Sequence, residues 1–335
     1  MTTPNISPLF TIAIPVYNRA DYLRCALRSA LDQTLKDVEI VVSDDCSDED
    51  LGSVINEFSG AAIRYSRSNE RLGASRNHQR VTSLATGEFI VMLHSDDALL
   101  PTFCEKACER LKARPEAGAV YMCIIKATGL DLRDCTQMPE IFFADGNTLA
   151  SRSELRRFLT VQPSCCAFRR STFEQLGGYR TDLRLAYDWD IYMRMLTKGG
   201  GVCFESSLQT IYRLHAEQSM QKEMLNGLLD VILMYKRRDY ATSATTVSDL
   251  ILTNLSSALR GNQSMATLLH ALYESKAYGV LTIGFLGALG LRIKRRLGCS
   301  LQTTNPVPHD PETLAVIAQA QELWQRWNEN GTNGR

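Results

Sequence analysis

Residues 10–45 read FTIAIPVYNRADYLRCALRSALDQTLKDVEIVVSDD. Phe10 to Pro15 is a short apolar run closed by proline. From Asp21 to Leu31 the apolar residues Leu23, Ala26, Leu27, Ala30 and Leu31 recur at helical spacing. Val38 to Val42 is β-branched and apolar, and it runs straight into Asp44 and Asp45. Strand, helix and strand in so short a space form the unit of a parallel sheet. The pattern continues outward from there. A helix is predicted over Asp48–Phe58 with Ser47 as its N-cap, a strand over Ala62–Tyr65 and a helix over Ser75–Ala85. After the turn residue Gly87, Phe89–Leu93 makes a fourth strand. A doubly wound sheet of this kind holds its ligand beyond the carboxyl ends of its strands. Pro15–Asn18, Asp44–Asp45 and Asp96–Asp97 stand at those ends.

Farther along, Pro101–Ala113 reads as a helix and Ala119–Ile125 as a strand, while Thr128–Asn147 shows no clean period. Ser171 and Glu174 have capping-box spacing, and Gly177–Gly178 closes that short helix. Ala186–Lys198 predicts another helix, ended by Gly199–Gly200–Gly201. Short strands follow near Val202–Phe204 and Thr210–Leu214. From Glu217 onward only helical patterns remain, about 217–235, 246–259, 265–274, 280–296 and 311–327. A domain boundary near 218–222 follows, with an α/β domain over 1–220 and a helical region over 221–335.

Lys+Arg and Asp+Glu both number 37 in 335 residues, so the formal charge is zero and a general nucleic-acid binder is excluded. The 10 cysteines include no CxxC pair, which reads as buried or free thiols in a reducing cytoplasm rather than a zinc site. Met1–Pro8 lacks a signal-peptide pattern, and no apolar window reaches transmembrane length.

Three acidic clusters can carry chemistry. Asp44 and Asp45 can accept hydrogen bonds from a base or ribose, or cap the next helix. His94–Ser95–Asp96–Asp97 places adjacent acids at a buried strand end, where they repel unless a cation neutralises them. Hard carboxylate oxygens there suit Mg²⁺ or Mn²⁺, and a cap before Pro101 is the alternative. Asp190 and Arg194 pair along one helix face, which leaves Asp188 near the helix start, either as a cap or facing a cleft.

Together these segments resemble the family-2 glycosyltransferases of the GT-A fold. The resemblance rests on Ile12–Arg19, Val41–Asp48, Asn69–Asn77 and Gly87–Ile90 leading into Ser95–Asp97. It continues in Phe168–Arg170 through Gly177–Tyr179, Asp188–Arg194, and Tyr212–His215 with Ser219. It covers about residues 9–220, with a nucleotide-binding half over 9–100 and an acceptor-binding half over 101–220. It implies a Rossmann-like mixed sheet with a C-terminal helical appendage. It also implies inverting transfer of one hexosyl or N-acetylhexosaminyl group from a UDP- or dTDP-linked donor to a glycan or lipid-linked hydroxyl in cell-surface polysaccharide biosynthesis. Carried over by position, Pro15, Val16, Tyr17, Asn18 and Asp45 hold the nucleotide base, and Arg76 and Asn77 help seat base and ribose. Asp96 is the metal acid, with Ser95 and Asp97 beside it supporting metal or sugar. Asp188 is the general base, and Arg213 and His215 close over the diphosphate or metal.

His94 departs from that pattern, since many members carry an acid there. Three readings follow: His94 ligates the metal itself, the substitution is tolerated because Asp96 does the coordination, or the chain is a non-catalytic nucleotide-sugar-binding protein with a degraded metal motif. The family's processive members carry a Gln-x-x-Arg-Trp motif and membrane helices, which this sequence lacks. Tyr278–Leu291 is apolar and is followed by Arg292–Ile293–Lys294–Arg295–Arg296. Residues 278–296 therefore either lie peripherally on an anionic inner membrane leaflet or form an ordinary packed helix.

Overall fold

The computed structural model describes residues 7–136, 163–215, 227, 230, 233, 234 and 311–329. Parallel strands buried on both faces are expected to be apolar throughout, and β1 (Phe10–Val16) is buried at every position. It lies between β2 (Val38–Asp44) and β4 (Phe89–Met92), with β3 (Ile63–Arg67) beyond β2, all parallel. The amphipathic helix α1 (Ala20–Leu31) joins β1 to β2 and buries Leu23, Ala26, Leu27 and Ala30. Two further helices, α2 (Leu51–Asn56) and α3 (Ala74–Ser83), make the next crossovers.

Pro15 shapes the site. Leu93 N–H donates to Ala13 O at 2.9 Å. Pro15 is next in that alternation and has no N–H, so the β1–β4 ladder ends there. The chain from His94 to Asp97 peels away, and β5 (Ala98–Leu99) joins the sheet elsewhere, antiparallel to β9 (Val202–Leu214). After α4 (Phe103–Ala113), β6 (Ala119–Thr128) pairs with β7 (Asp131–Thr136), β8 (Cys166–Arg169) and β9. Among the described residues the mixed sheet has 9 strands, ordered β3-β2-β1-β4-β8-β6-β9-β5 with β7 beside β6. Two helices, α5 (Arg170–Gln175) and α6 (Tyr187–Lys198), follow β8.

Local expectations shift in three places. Asp50, not Ser47, caps α2, accepting from Ser53 N at 3.1 Å. Ser47 is drawn off to the buried Asp44, to which it donates through its hydroxyl at 2.5 Å. No capping box forms, because α5 begins at Arg170 and Glu174 pairs with that arginine at 2.8 Å. Gly177 (φ 84°) and Gly178 (φ 67°) end the helix as expected. The two short strands after Gly201 are one, because β9 pairs with β6 along its length through register shifts at Cys123.

The chain divides into two compact units, Met1–Thr181, Asp188–His215 and Pro306–Arg335 in one, Asp182–Tyr187 and Ala216–Asn305 in the other. In the second unit Asp230 accepts the backbone N–H groups of Arg184, Leu185 and Ala186 at 2.9, 2.7 and 2.9 Å. In the first, the C-terminal helix Pro311–Glu329 buries Ala320, Trp324 and Trp327 among Cys25, Ala98, Ile125 and Ile211. Trp327 Nε1 donates to Asp32 at 2.7 Å, and Arg28 donates to Trp327 O at 2.5 Å. The segment 278–296 and the helices read over 246–296 lie outside the described residues. No helix among the described residues is long and apolar enough to cross a membrane.

Gly87 sits where a Cβ would come within 2.6 Å of the backbone of Phe10 and Thr11. Gly87→Ala should therefore lower the urea midpoint by the equivalent of about 1–3 kcal/mol, read from equilibrium unfolding at unchanged slope.

Candidate active site

Strand β2 ends in two acids with separate tasks. Asp44 is fully buried and accepts from Ser47, from Tyr65 Oη at 2.6 Å and from Arg67 at 3.0 Å. Asp45 accepts the backbone N–H groups of Leu72 at 2.6 Å and Gly73 at 3.0 Å, so it shapes the loop that enters α3. Arg71 Nε pairs with it as well, at 3.4 Å, and of the about four acceptor positions of an ionised carboxylate about one is left. A cleft of about 480 Å³ lined by Arg67, Ser68, Asn69, Glu70, Leu72 and Arg80 opens past this loop.

Pro15 and Val16 are buried at the end of β1, and Val16 O accepts from Asp45 N at 2.9 Å. Asn18 (φ 54°) and Arg19 (φ 67°) are left-handed. This bend lets Asn18 Oδ1 accept from Asp48 N at 2.8 Å and Glu49 cap α1 at Arg19 N and Ala20 N, 2.9 and 2.8 Å. Tyr17 donates to Asp48 at 2.9 Å, and the Arg71 guanidinium stacks on its ring. Asn77 is buried, with its amide engaged by Ser43 Oγ (2.6 Å), Ser43 O (3.0 Å) and Val16 O (3.4 Å). It ties β1 to β2, whereas Arg76 is exposed.

Beyond β4, Asp96 accepts from Arg19 Nη1 at 3.0 Å and from His215 Nε2 at 2.9 Å. Burial alone would raise its pKa. The His215 hydrogen bond, with His94 and Arg19 nearby, outweighs that and holds it at about 2. Asp97 is buried and turned inward, accepting from Ser164 Oγ at 2.6 Å and Arg213 N at 3.1 Å. Burial and the charge of Asp96 push its pKa well above the ordinary carboxylate range. Ser95 is buried between His94 and Asp96. Arg213 is buried and donates through Nε to Asp96 O at 2.9 Å.

His94 lies edge-on to a second imidazole, with Nε2 3.0 Å from Nε2 of His78. His78 Nδ1 is 2.8 Å from Ala74 O, which can only accept, so Nδ1 carries the proton. In neutral His78 the Nε2 is then an acceptor. His94 must donate to it from Nε2 and keeps a lone pair on Nδ1. Ligand atoms of His94, Asp96 and Asp97 all lie within 4.8 Å of one another, a fit for a divalent cation with mixed nitrogen and oxygen donors.

Asp188 occupies the first turn of α6, half-buried, and its Oδ1 accepts from Trp189 N at 2.6 Å. Its neighbour Asp190 is fully buried and pairs with Arg194 at 2.5 Å, the partnership expected from their spacing. Arg194 also donates to Leu176 O and Gly178 O, at 2.5 and 2.6 Å. Asp190 thus anchors the helix to the end of α5 while Asp188 stays at its start. Arg19, His78, Ser164, Trp324 and Asn328 join the site without having been singled out from the sequence. Arg19 and His78 had a signal, their places directly after Asn18 and Asn77; Ser164, Trp324 and Asn328 come from distant segments with no motif.

His78 carries a testable consequence. Burial and the adjacent His94 lower its pKa from 6.5 to about 3. Between those values the unfolded chain binds a proton that the folded chain refuses, so stability falls as pH drops from 6.5 toward 3. Urea unfolding across that range should show a slope shallower by about one proton in His78→Gln than in the parent.

The solved mannosyltransferase PcManGT from Pyrobaculum calidifontis, in complex with GDP-Man and Mn²⁺, aligns with a TM-score of 0.53 at 17% identity, over 98% of this chain and 89% of that one. TarS 1–349 of S. aureus in complex with UDP-GlcNAc aligns with a TM-score of 0.62 at 15% identity, over 97% and 92%. Both are similar in fold. In sequence, the GalNAc(5)-diNAcBac-PP-undecaprenol beta-1,3-glucosyltransferase of Campylobacter jejuni is 34% identical over 109 residues, 30% of this chain and 35% of that protein. The chain spans 62 to 66% of the length of three other curated relatives that it matches. Residues 11–177 match the glycosyl transferase family 2 model, and with the strand-end acids in their expected places the chain belongs to that family.

Proposed function

We propose that the protein is an inverting glycosyltransferase that moves one sugar from a nucleoside diphosphate donor to an acceptor hydroxyl. The observation that carries this reading is the gathering of Arg19, His94, His215 and Arg213 around Asp96 where β4 leaves the sheet. A carboxylate so heavily supported by cations and donors is poised for a polyphosphate and its counter-ion. The base is held by Pro15, Val16, Tyr17 and Asn18 and by the remaining acceptor position of Asp45. Arg76, exposed in the first turn of α3, helps seat base and ribose, and Asn77 acts through the strand ends that it joins.

Asp96 and His94 would hold a divalent ion, with the inward-turned Asp97 beside them, and such an ion would supply Lewis-acid stabilisation of the departing diphosphate. Ser95 supports that turn, and Arg213 and His215 hold Asp96 from behind. Asp188 accepts the acceptor's proton as the hydroxyl oxygen bonds to the anomeric carbon. The bond from that carbon to the diphosphate oxygen breaks, and configuration inverts in one displacement. The UDP-GlcNAc of TarS and the GDP-Man and Mn²⁺ of PcManGT support a nucleotide-sugar donor and a manganese-type ion. The polyprenyl-linked glycan in the Campylobacter enzyme's name supports a lipid-linked acceptor. Residues 278–296 then contact the membrane surface.

A screen of nucleotide sugars with Mn²⁺ should find a donor that raises the melting temperature and releases nucleotide on adding acceptor. Chelation should abolish release, and Asp96→Ala should abolish the metal-dependent shift. Asp188→Asn should lower kcat by about 10²- to 10⁴-fold with donor binding retained. Binding without any release, in wild type, would leave a nucleotide-sugar-binding protein. A nitrogen ligand at His94 should favour Mn²⁺ over Mg²⁺ in calorimetry, and His94→Asp should narrow that preference. Replacing Arg292, Lys294, Arg295 and Arg296 by Gln should move the protein from the membrane fraction to the soluble one. Unchanged fractionation would refute the membrane contact.

A further inference from the structure

We propose that the C-terminal helix Pro311–Glu329 is a working part of the transfer site, with Trp324 and Asn328 as positioning residues for Arg213. This rests on the functional reading above and adds to it a segment far from the matched residues 11–177.

Arg213 is 6% exposed, so its charge must be satisfied by protein. Its Nε donates to Asp96 O at 2.9 Å, and its backbone N–H donates to Asp97 Oδ1 at 3.1 Å. This one residue therefore holds both acids of the site, the first by its carbonyl and the second by its carboxylate. The C-terminal helix supplies two of the groups that hold the guanidinium in turn. Nη2 donates to Asn328 Oδ1 at 3.1 Å. The guanidinium carbon lies 4.2 Å from the centre of the Trp324 ring and 4.4 Å from that of Tyr22. Stacking on aromatic faces suits a planar, weakly hydrated cation whose N–H edge is engaged in hydrogen bonds.

The helix is itself fixed in register. Trp324 Nε1 donates to Gly129 O at 3.0 Å, Asn328 Nδ2 to Trp324 O at 2.7 Å, and Trp327 Nε1 to Asp32 at 2.7 Å. Tyr22 extends the arrangement, its ring 5.4 Å from that of His215, whose Nε2 meets the Asp96 carboxylate. Asp96 is thus gripped at its carbonyl through Arg213 and at its carboxylate through His215. Loss of Trp324 or Asn328 removes one hold on Arg213 and loosens the backbone of Asp96 without touching any ligand atom.

The test compares full-length Trp324→Phe, Trp324→Leu and Asn328→Ala with wild type, using the donor and acceptor found by the screen. Both Trp324 variants lose the indole N–H and keep an apolar filler, but only phenylalanine keeps an aromatic face for Arg213. In Trp324→Leu and Asn328→Ala, kcat should fall about tenfold and the Mn²⁺ dissociation constant, read by calorimetry in the absence of acceptor, should rise about tenfold, as for other supports of a metal ligand. Trp324→Phe should stay within about twofold of wild type on both measures. A helix that only stabilises the fold would reduce the active fraction and leave the Mn²⁺ dissociation constant unchanged. That result, or phenylalanine faring no better than leucine, overturns the proposal, as do variants indistinguishable from an active wild type. Where Trp324→Leu melts below the assay temperature, Asn328→Ala decides by the same criteria. A wild type that turns over no nucleotide sugar removes the functional reading, and this inference with it.

Discussion

Two carboxyl groups side by side at the buried end of β4 are the constraint that the site is built around. Both cannot carry charge there unaided, and the protein separates their roles. Asp96 keeps its charge because His215 and Arg19 donate to it. Asp97 is turned into the core toward Ser164 and the Arg213 backbone, where burial and its neighbour's charge favour the protonated form. Much of the remaining architecture supplies those partners. The left-handed bend at Asn18 and Arg19 brings a cation from the start of α1, and β9 must run unbroken to Leu214 to deliver Arg213 and His215.

The same problem is solved a second time at the end of β2. Asp44 is satisfied inside the protein by Ser47, Tyr65 and Arg67 and is structural. Asp45 shapes the α3 entry loop with two backbone amides and retains acceptor capacity. At the end of β4 one acid is spent inside the fold and its neighbour is the acid of the proposed ion site, and at the end of β2 Asp44 is spent inside while Asp45 shapes the loop that enters α3. Asp188 and Asp190 repeat this division on α6, since Asp190 is buried against Arg194 and Asp188 sits at the helix start. The adjacent or near-adjacent acids of this chain are pairs of unlike members, told apart by which one finds internal donors.

That difference explains what could be read from the residues. The alternation of strands and helices through Leu93 was legible because each element declares itself by local period, and Pro15 and Gly87 by their backbone needs. The strand-end acids were legible because the carboxyl edge of a parallel sheet is a position in the chain order. Helix caps were less so: Ser47 has the chemistry of a cap, but a buried carboxylate three residues earlier competes for its hydroxyl and wins. Long-range partners left no local trace. Ser164 meets Asp97, and Asn328 meets Arg213, only through the fold.

His94 makes the same point from the opposite side. Read alone, a histidine in place of an acid looks like decay of a metal motif. Beside His78 it is a fixed donor: the Ala74 carbonyl settles the proton on one imidazole, and that imidazole settles it on the next. A substitution that loses a carboxylate has thereby gained an oriented nitrogen lone pair, at the cost of burying a second histidine whose protonation the fold must resist. The pair makes sense where the nitrogen at 94 has something to hold.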